Sequence, residues 1–143
     1  MTLREKTLQI FWSKVEEICK KVSSAIGALK RVRPFISKET AIQIYNALIM
    51  PHLDYCSPFW DSLSGYLSDK LQKLQNRAAR FITKSPFDTS SNHLLSTLDW
   101  ERLSLWRKKQ KALMMYKTMI DLAPEYLQSI FSCLLYTSDA ADE

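Results

Sequence analysis

LSDKLQKLQNRAARFITK, residues 67–84, decides the fold. Leu67, Leu71, Leu74, Ala78, Phe81 and Ile82 recur at spacings of three and four, which lines them up on one stripe of a helix. Along the flank of that stripe run Lys70, Lys73, Arg77, Arg80 and Lys84, again at three, four, three and four residues. At 1.5 Å per residue this edge spans roughly 20 Å, a length over which several duplex phosphates are presented. Such an edge serves equally as a solvated face that keeps a domain soluble. The spacing predicts a helix opening near Ser68 and stopped by Ser85-Pro86.

The same period recurs on both sides. Ser13 and Glu16 form a capping box, followed by Val15, Ile18, Cys19, Val22, Ala25, Ile26, Leu29 and Val32 on one face. Lys14, Lys20, Lys21, Lys30, Arg31 and Arg33 surround that face, and Pro34 ends the run. A second helix is expected from Ser37 through Ala41, Ile44, Tyr45, Leu48 and Ile49 until Pro51 interrupts it. His52 to Gly65 reads as an irregular connection with large anchors at Tyr55, Phe59 and Trp60. Phe87 to Thr97 is polar and turn-like apart from Leu94-Leu95. Asp99 is positioned to cap a long helix from Trp100 to about Asp121, with Leu103, Trp106, Leu113, Tyr116 and Ile120 inside. Its cations are Arg102, Arg107, Lys108, Lys109, Lys111 and Lys117. Pro124 suits the first position of a short terminal helix through Tyr126, Leu127 and Ile130. The expectation is an all-α protein, an irregular bundle of about five helices.

Composition agrees. The chain has 143 residues, 46% hydrophobic and 11% aromatic with two glycines, enough for one packed core and poor in turn formers. A formal charge of +5 draws a protein toward polyanions. Cys19, Cys56 and Cys133 show no Cys-x-x-Cys spacing, so neither a disulfide framework nor a structural zinc site is encoded, and a reducing, intracellular setting fits. No apolar run approaches the roughly 18–20 residues of a membrane-spanning helix, and the N-terminus lacks the order of a signal peptide.

Reactive chemistry is sought best in PHLDYCSPFWD, residues 51–61. Alternation would aim His52, Asp54 and Cys56 to one side, but three mixed ligands fall short of a closed tetrahedral site. A Cys56–His52 nucleophile has no specified orienting group. Gly-rich phosphate loops and adjacent aspartates for catalytic magnesium do not occur. The expectation is therefore no catalytic residue and no metal or cofactor in this chain. The prolines fix the path, Tyr55, Cys56 and Trp60 fill gaps between helices, and Asp54 or Asp61 caps. Arg107-Lys108-Lys109 with Lys111 reads either as a phosphate contact or as an exposed rim. Trp106 could stack on a base, though its spacing suits packing.

Five stretches, in this order, carry a resemblance: Trp12-Ser13-Lys14; EEICKKVSSAIGALKRVRPFI; IYNALIMPHLDYCSPFW; LQKLQNRAARFIT; and LDWERLSLWRKKQKALMMYKTM followed by LAPEYL. Together they resemble the region just downstream of the polymerase core in reverse transcriptases of non-LTR retrotransposons, the jockey-like and related LINE-type elements. The resemblance covers about Trp12 to Phe131. It implies the helical thumb and adjoining region of an RNA-directed DNA polymerase, which grips an RNA–DNA or RNA template–primer duplex while the palm domain of the same polyprotein does the chemistry with magnesium. Under that resemblance Lys70, Lys73, Arg77, Arg80, Lys84, Arg107, Lys108, Lys109 and Lys111 are the expected nucleic-acid contacts, and Trp12, Pro51, Tyr55, Trp60 and Trp100 the structural anchors. The protein would act in cytoplasm and nucleus. The alternative is a helical protein-interaction module or an inactive transposon remnant.

Two ends stand outside the resemblance. Residues 1–11 form an unmatched lead to the domain at 12–132. CLLYTSDAADE, residues 133–143, resembles the translation of a sequencing adapter used with transposase-cut libraries. The resemblance implies that the protein was cut at Ser132 by the end of a DNA insert and that the natural part is what precedes residue 133. Without Asp139, Asp142 and Glu143 it carries 20 basic against 12 acidic residues, a charge of +8.

Overall fold

A computed structural model describes residues 2–54, 65–120, 124–126 and 128–129 of the chain. Among these residues the protein is all-α, as the periodicity predicts. Helix α1 spans Leu3–Val32, α2 Lys38–Ile44, α3 Met50–Asp54, α4 Gly65–Thr83, α5 Ser91–Thr97 and α6 Leu103–Met119. Residues 125–126 and 128–129 are also helical, with Gln128 N–H donating to the Pro124 carbonyl. None of the described helices is long and apolar enough to cross a membrane.

Helix α1 begins ten residues before the expected Ser13 cap. Thr2 and Glu5 make the same reciprocal box, the Thr2 hydroxyl accepting from Glu5 N–H and the Glu5 carboxylate accepting from Thr2 N–H. The first turns bury nothing, so the apolar stripe that betrays the rest of the helix is missing there. From Val15 onward the stripe is real: Val15, Ile18, Cys19, Val22, Ile26 and Leu29 are buried, whereas Val32 is exposed. Burial pushes the Cys19 thiol up, against the pull of nearby Lys70, so it behaves as a small core hydrophobe and not as a nucleophile.

Pro51 does not interrupt the second helix. A proline has no N–H and its ring clashes with the carbonyl four residues back. Here the chain widens to a π-helical turn over Tyr45–Ile49, with Met50 N–H donating to the Tyr45 carbonyl, and continues as α3. The wide turn keeps residues four apart in line. Tyr45, Ile49 and Leu53 are buried as a result, and Leu48, expected inside, is rotated out to solvent. His52 to Asp54, expected in an irregular connection, are therefore helical. Tyr55, Cys56, Phe59, Trp60 and Asp61 lie outside the described residues, as do Leu127, Ile130 and the tail from residue 131.

The core joins the α1 stripe to Ala41, Tyr45, Ile49 and Leu53 and to Leu67, Leu71, Ala78 and Ile82 of α4, closed by Leu103 of α6. Trp100 packs against the core, its ring stacked on Tyr45 at 4.1 Å. Trp12 is half-exposed, lying parallel to Tyr66 at 5.7 Å, and Pro51 is exposed. Helix α5, unexpected in a polar segment, is capped by Ser90 and held to α4 with Leu94 and Leu95 buried.

Asp99 does not cap α6. With φ near 55° it ends α5, where Trp100 N–H donates to the Leu95 carbonyl and Asp99 N–H to Ser96. The cap of α6 comes from a different helix: Leu103 N–H donates to Gln72 Oε1 at 2.9 Å, and Gln75 Nε2 donates to the Glu101 carbonyl.

Candidate nucleic-acid interface

The five cations of α4 do not share one free edge. Lys70 is bound across to α1, its Nζ 3.1 Å from Glu16 Oε1, and that bond holds its ammonium above the ordinary lysine range. Lys73 and Arg77 are exposed. Arg80 is half-buried, its guanidinium 5.3 Å from the Phe87 ring centre and its Nε buried without a hydrogen-bond partner among the described residues. Lys84 is exposed at the helix end with φ near 54°, in the left-handed position that closes a helix: Ser85 N–H donates to the Arg80 carbonyl and Lys84 N–H to Phe81.

That end of α4 meets the end of α1. Lys30 Nζ stands 5.4 Å from the Phe81 ring centre and the Arg77 guanidinium 5.9 Å from it. Lys30, Arg33, Arg80 and Lys84, with Phe81 and Phe87, line an open concavity of about 520 Å³. Among the described residues no carboxylate lines it. The comparable hollow beside Tyr45 and Trp100, about 470 Å³, carries Asp99 and Glu101 in its wall. The two differ in sign, and only the first is suited to an anion.

Arg33, expected among the surface charges of the first helix, is buried and structural. Its Nε and Nη2 donate to the Ile82 carbonyl at 3.0 and 2.8 Å, and Nη1 donates to Ile36 at 2.8 Å. A cation thus answers one of the carbonyls left open at the C-terminus of α4, where the helix dipole is negative. The bond fixes the α1 end against the α4 end and so assembles the basic concavity. Nothing in the local sequence announces it, because the partners are 49 residues apart.

The α6 cations separate in the same manner. Arg107 is buried, with Nη2 donating to Ser68 Oγ at 2.6 Å, so its burial takes it out of the solvent-facing set. Lys109 is ion-paired with Glu101. Lys108 and Lys111 are exposed. Trp106 is half-buried and donates from Nε1 to Asp54 Oδ1 at 2.6 Å. That bond gives Asp54 a structural partner, although not the helix cap the sequence suggests. Among the described residues no group of three or more His, Cys, Asp or Glu side chains is placed to hold a metal ion.

No family model, curated protein or solved structure matches the chain.

Proposed function

We propose that this chain is a non-catalytic piece of an RNA-directed DNA polymerase of a mobile element, corresponding to the thumb region, that grips the template–primer duplex by its phosphates. The observation that carries the proposal is the basic end of the α1–α4 pair, lined by no carboxylate among the described residues, with Lys73 and Arg77 leading to it along α4. Lys108 and Lys111 on α6 extend the positive surface. The five-part sequence resemblance supports the same reading and supplies the parent activity, which would reside in the palm domain of the same polyprotein. Action in cytoplasm and nucleus belongs to this proposal.

Phosphate contacts are insensitive to base sequence and strongly sensitive to salt. Titrating a blunt RNA–DNA duplex, followed by fluorescence anisotropy, should show binding that weakens steeply as salt rises. Charge reversal at Arg77 and Arg80 should weaken binding to unrelated sequences alike. Unchanged affinity in that double variant removes the α4 cations from the mechanism.

One observation favours a second reading, a helical protein-interaction module. Leu113, Tyr116, Met119 and Ile120 on and after α6, and Leu3, Leu8 and Ile10 on α1, are exposed. Concentration-dependent self-association without duplex affinity would support this module over the grip.

A further inference from the structure

We infer that the concavity at the joined ends of α1 and α4 takes an unpaired nucleotide, its base stacked on Phe87 and its phosphates held by Lys30 and Lys84. The inference rests on the nucleic-acid reading and adds a ligand that duplex gripping does not require.

Phe87 carries it. The ring is 90% exposed, so it contributes almost nothing to the core. Its backbone sits in a turn closed by Thr89 N–H donating to the Pro86 carbonyl, and the Arg80 guanidinium lies 5.3 Å from the ring centre. An exposed aromatic ring beside a cation is an arrangement on which unpaired bases stack, and every base has a face to offer it. Arg80 Nε has no acceptor among the described residues, and the guanidinium brings positive charge beside the ring.

The rest of the lining fits the remainder of a nucleotide. Lys30 on α1 and Lys84 just past the end of α4 supply cations from two sides, and the volume of about 520 Å³ lies inside the range of roughly 300–1,000 Å³ typical of small-ligand sites. A paired base inside a duplex presents no free face to such a ring. A single-stranded overhang does.

The test compares three probes on the full chain: a blunt RNA–DNA duplex, the same duplex with a four-nucleotide overhang, and that overhang made abasic. The intact overhang should bind on the order of tenfold tighter than its abasic version, since the two differ in stacking and not in phosphate count. Phe87→Ala should abolish the difference between the intact and abasic overhangs; the exposed ring makes this substitution harmless to folding. Lys84→Gly, which suits the left-handed position, should weaken both overhang probes. Equal affinity for all three probes, equal gain from the abasic overhang, or a base-dependent gain that survives Phe87→Ala overturns the inference. Failure of the grip is read separately, as loss of blunt-duplex binding. A Phe87-dependent preference for a single-stranded oligonucleotide over its abasic counterpart would then uphold this site alone.

Discussion

Helices α4 and α6 look alike in sequence and behave differently in the fold. Both carry apolar residues at helical spacing and a load of lysine and arginine. In α4 the apolar positions Leu67, Leu71, Ala78 and Ile82 are all buried against α1 and its neighbours. In α6 only Leu103, at the first position, reaches the core; Leu113 and Tyr116 are exposed, and the buried residues further along are Arg107 and Thr118. Periodicity states that a helix has an apolar face. What covers that face is a tertiary matter, and α6 leaves much of it bare.

The contrast is broken most forcefully in the core. Ile82→Ala removes a fully buried side chain from the α1–α4 contact and should cost about 2–5 kcal/mol, whereas Leu113→Ala on α6 should change stability by less than about 0.5 kcal/mol. Urea denaturation of the two variants measures this. Equal losses would mean that α6 is as well packed as α4.

Tyr45 sharpens the comparison through pH. Burial pushes its phenol up to about 12, with a Gln75 hydrogen bond acting the other way. Because the folded state holds the proton more tightly than the unfolded chain, this contribution is complete below the ordinary value of 10.0 and is lost as pH rises toward 12. Wild type should lose on the order of 2 kcal/mol over that window relative to Tyr45→Phe. Denaturation midpoints for both proteins, taken from pH 9 upward, test it; parallel curves would place the phenol in water.

A smaller effect belongs to the joint between the two helices. Gln72→Ala deprives Leu103 N–H of its acceptor and should cost about 1 kcal/mol, the ordinary value of a lost helix cap. Hydrogen exchange in the first turn of α6 should quicken in that variant while the α1–α4 core stays protected. Unchanged exchange there would mean that solvent replaces the glutamine without loss.

The helices packed through their own stripes were legible in the sequence, and α4 was legible almost to its ends. Helix α5 and the first turns of α1 were not, because one lies in a polar segment and the other buries no side chain. The Thr2–Glu5 box was present to be read, but without a stripe behind it nothing distinguishes it from chance. The passage of a helix through Pro51 depends on a wide turn that conserves burial of Tyr45 and Ile49, a balance decided by the core. Arg33 on Ile82, Gln72 on Leu103 and Trp106 on Asp54 join residues 31 to 52 apart, and local spacing carries no trace of them. The candidate site was half legible for the same reason. Lys73, Arg77 and Lys84 are exposed as the flank suggests, yet Lys70 and Arg107 are drawn into bonds with other helices, while Lys30 and Phe87 join the site from elements the flank does not contain.

The most direct measurement of the central claim is the salt dependence of blunt RNA–DNA duplex binding, for wild type and for a variant with Lys73, Arg77 and Lys84 changed to Gln. Each phosphate contact contributes about 0.9 to the slope of log affinity against log salt on a regular DNA duplex. If the three cations hold phosphates, the slope of the variant should be shallower by about two to three, with the loss equal for unrelated sequences. A slope that stays the same in the variant would contradict the account.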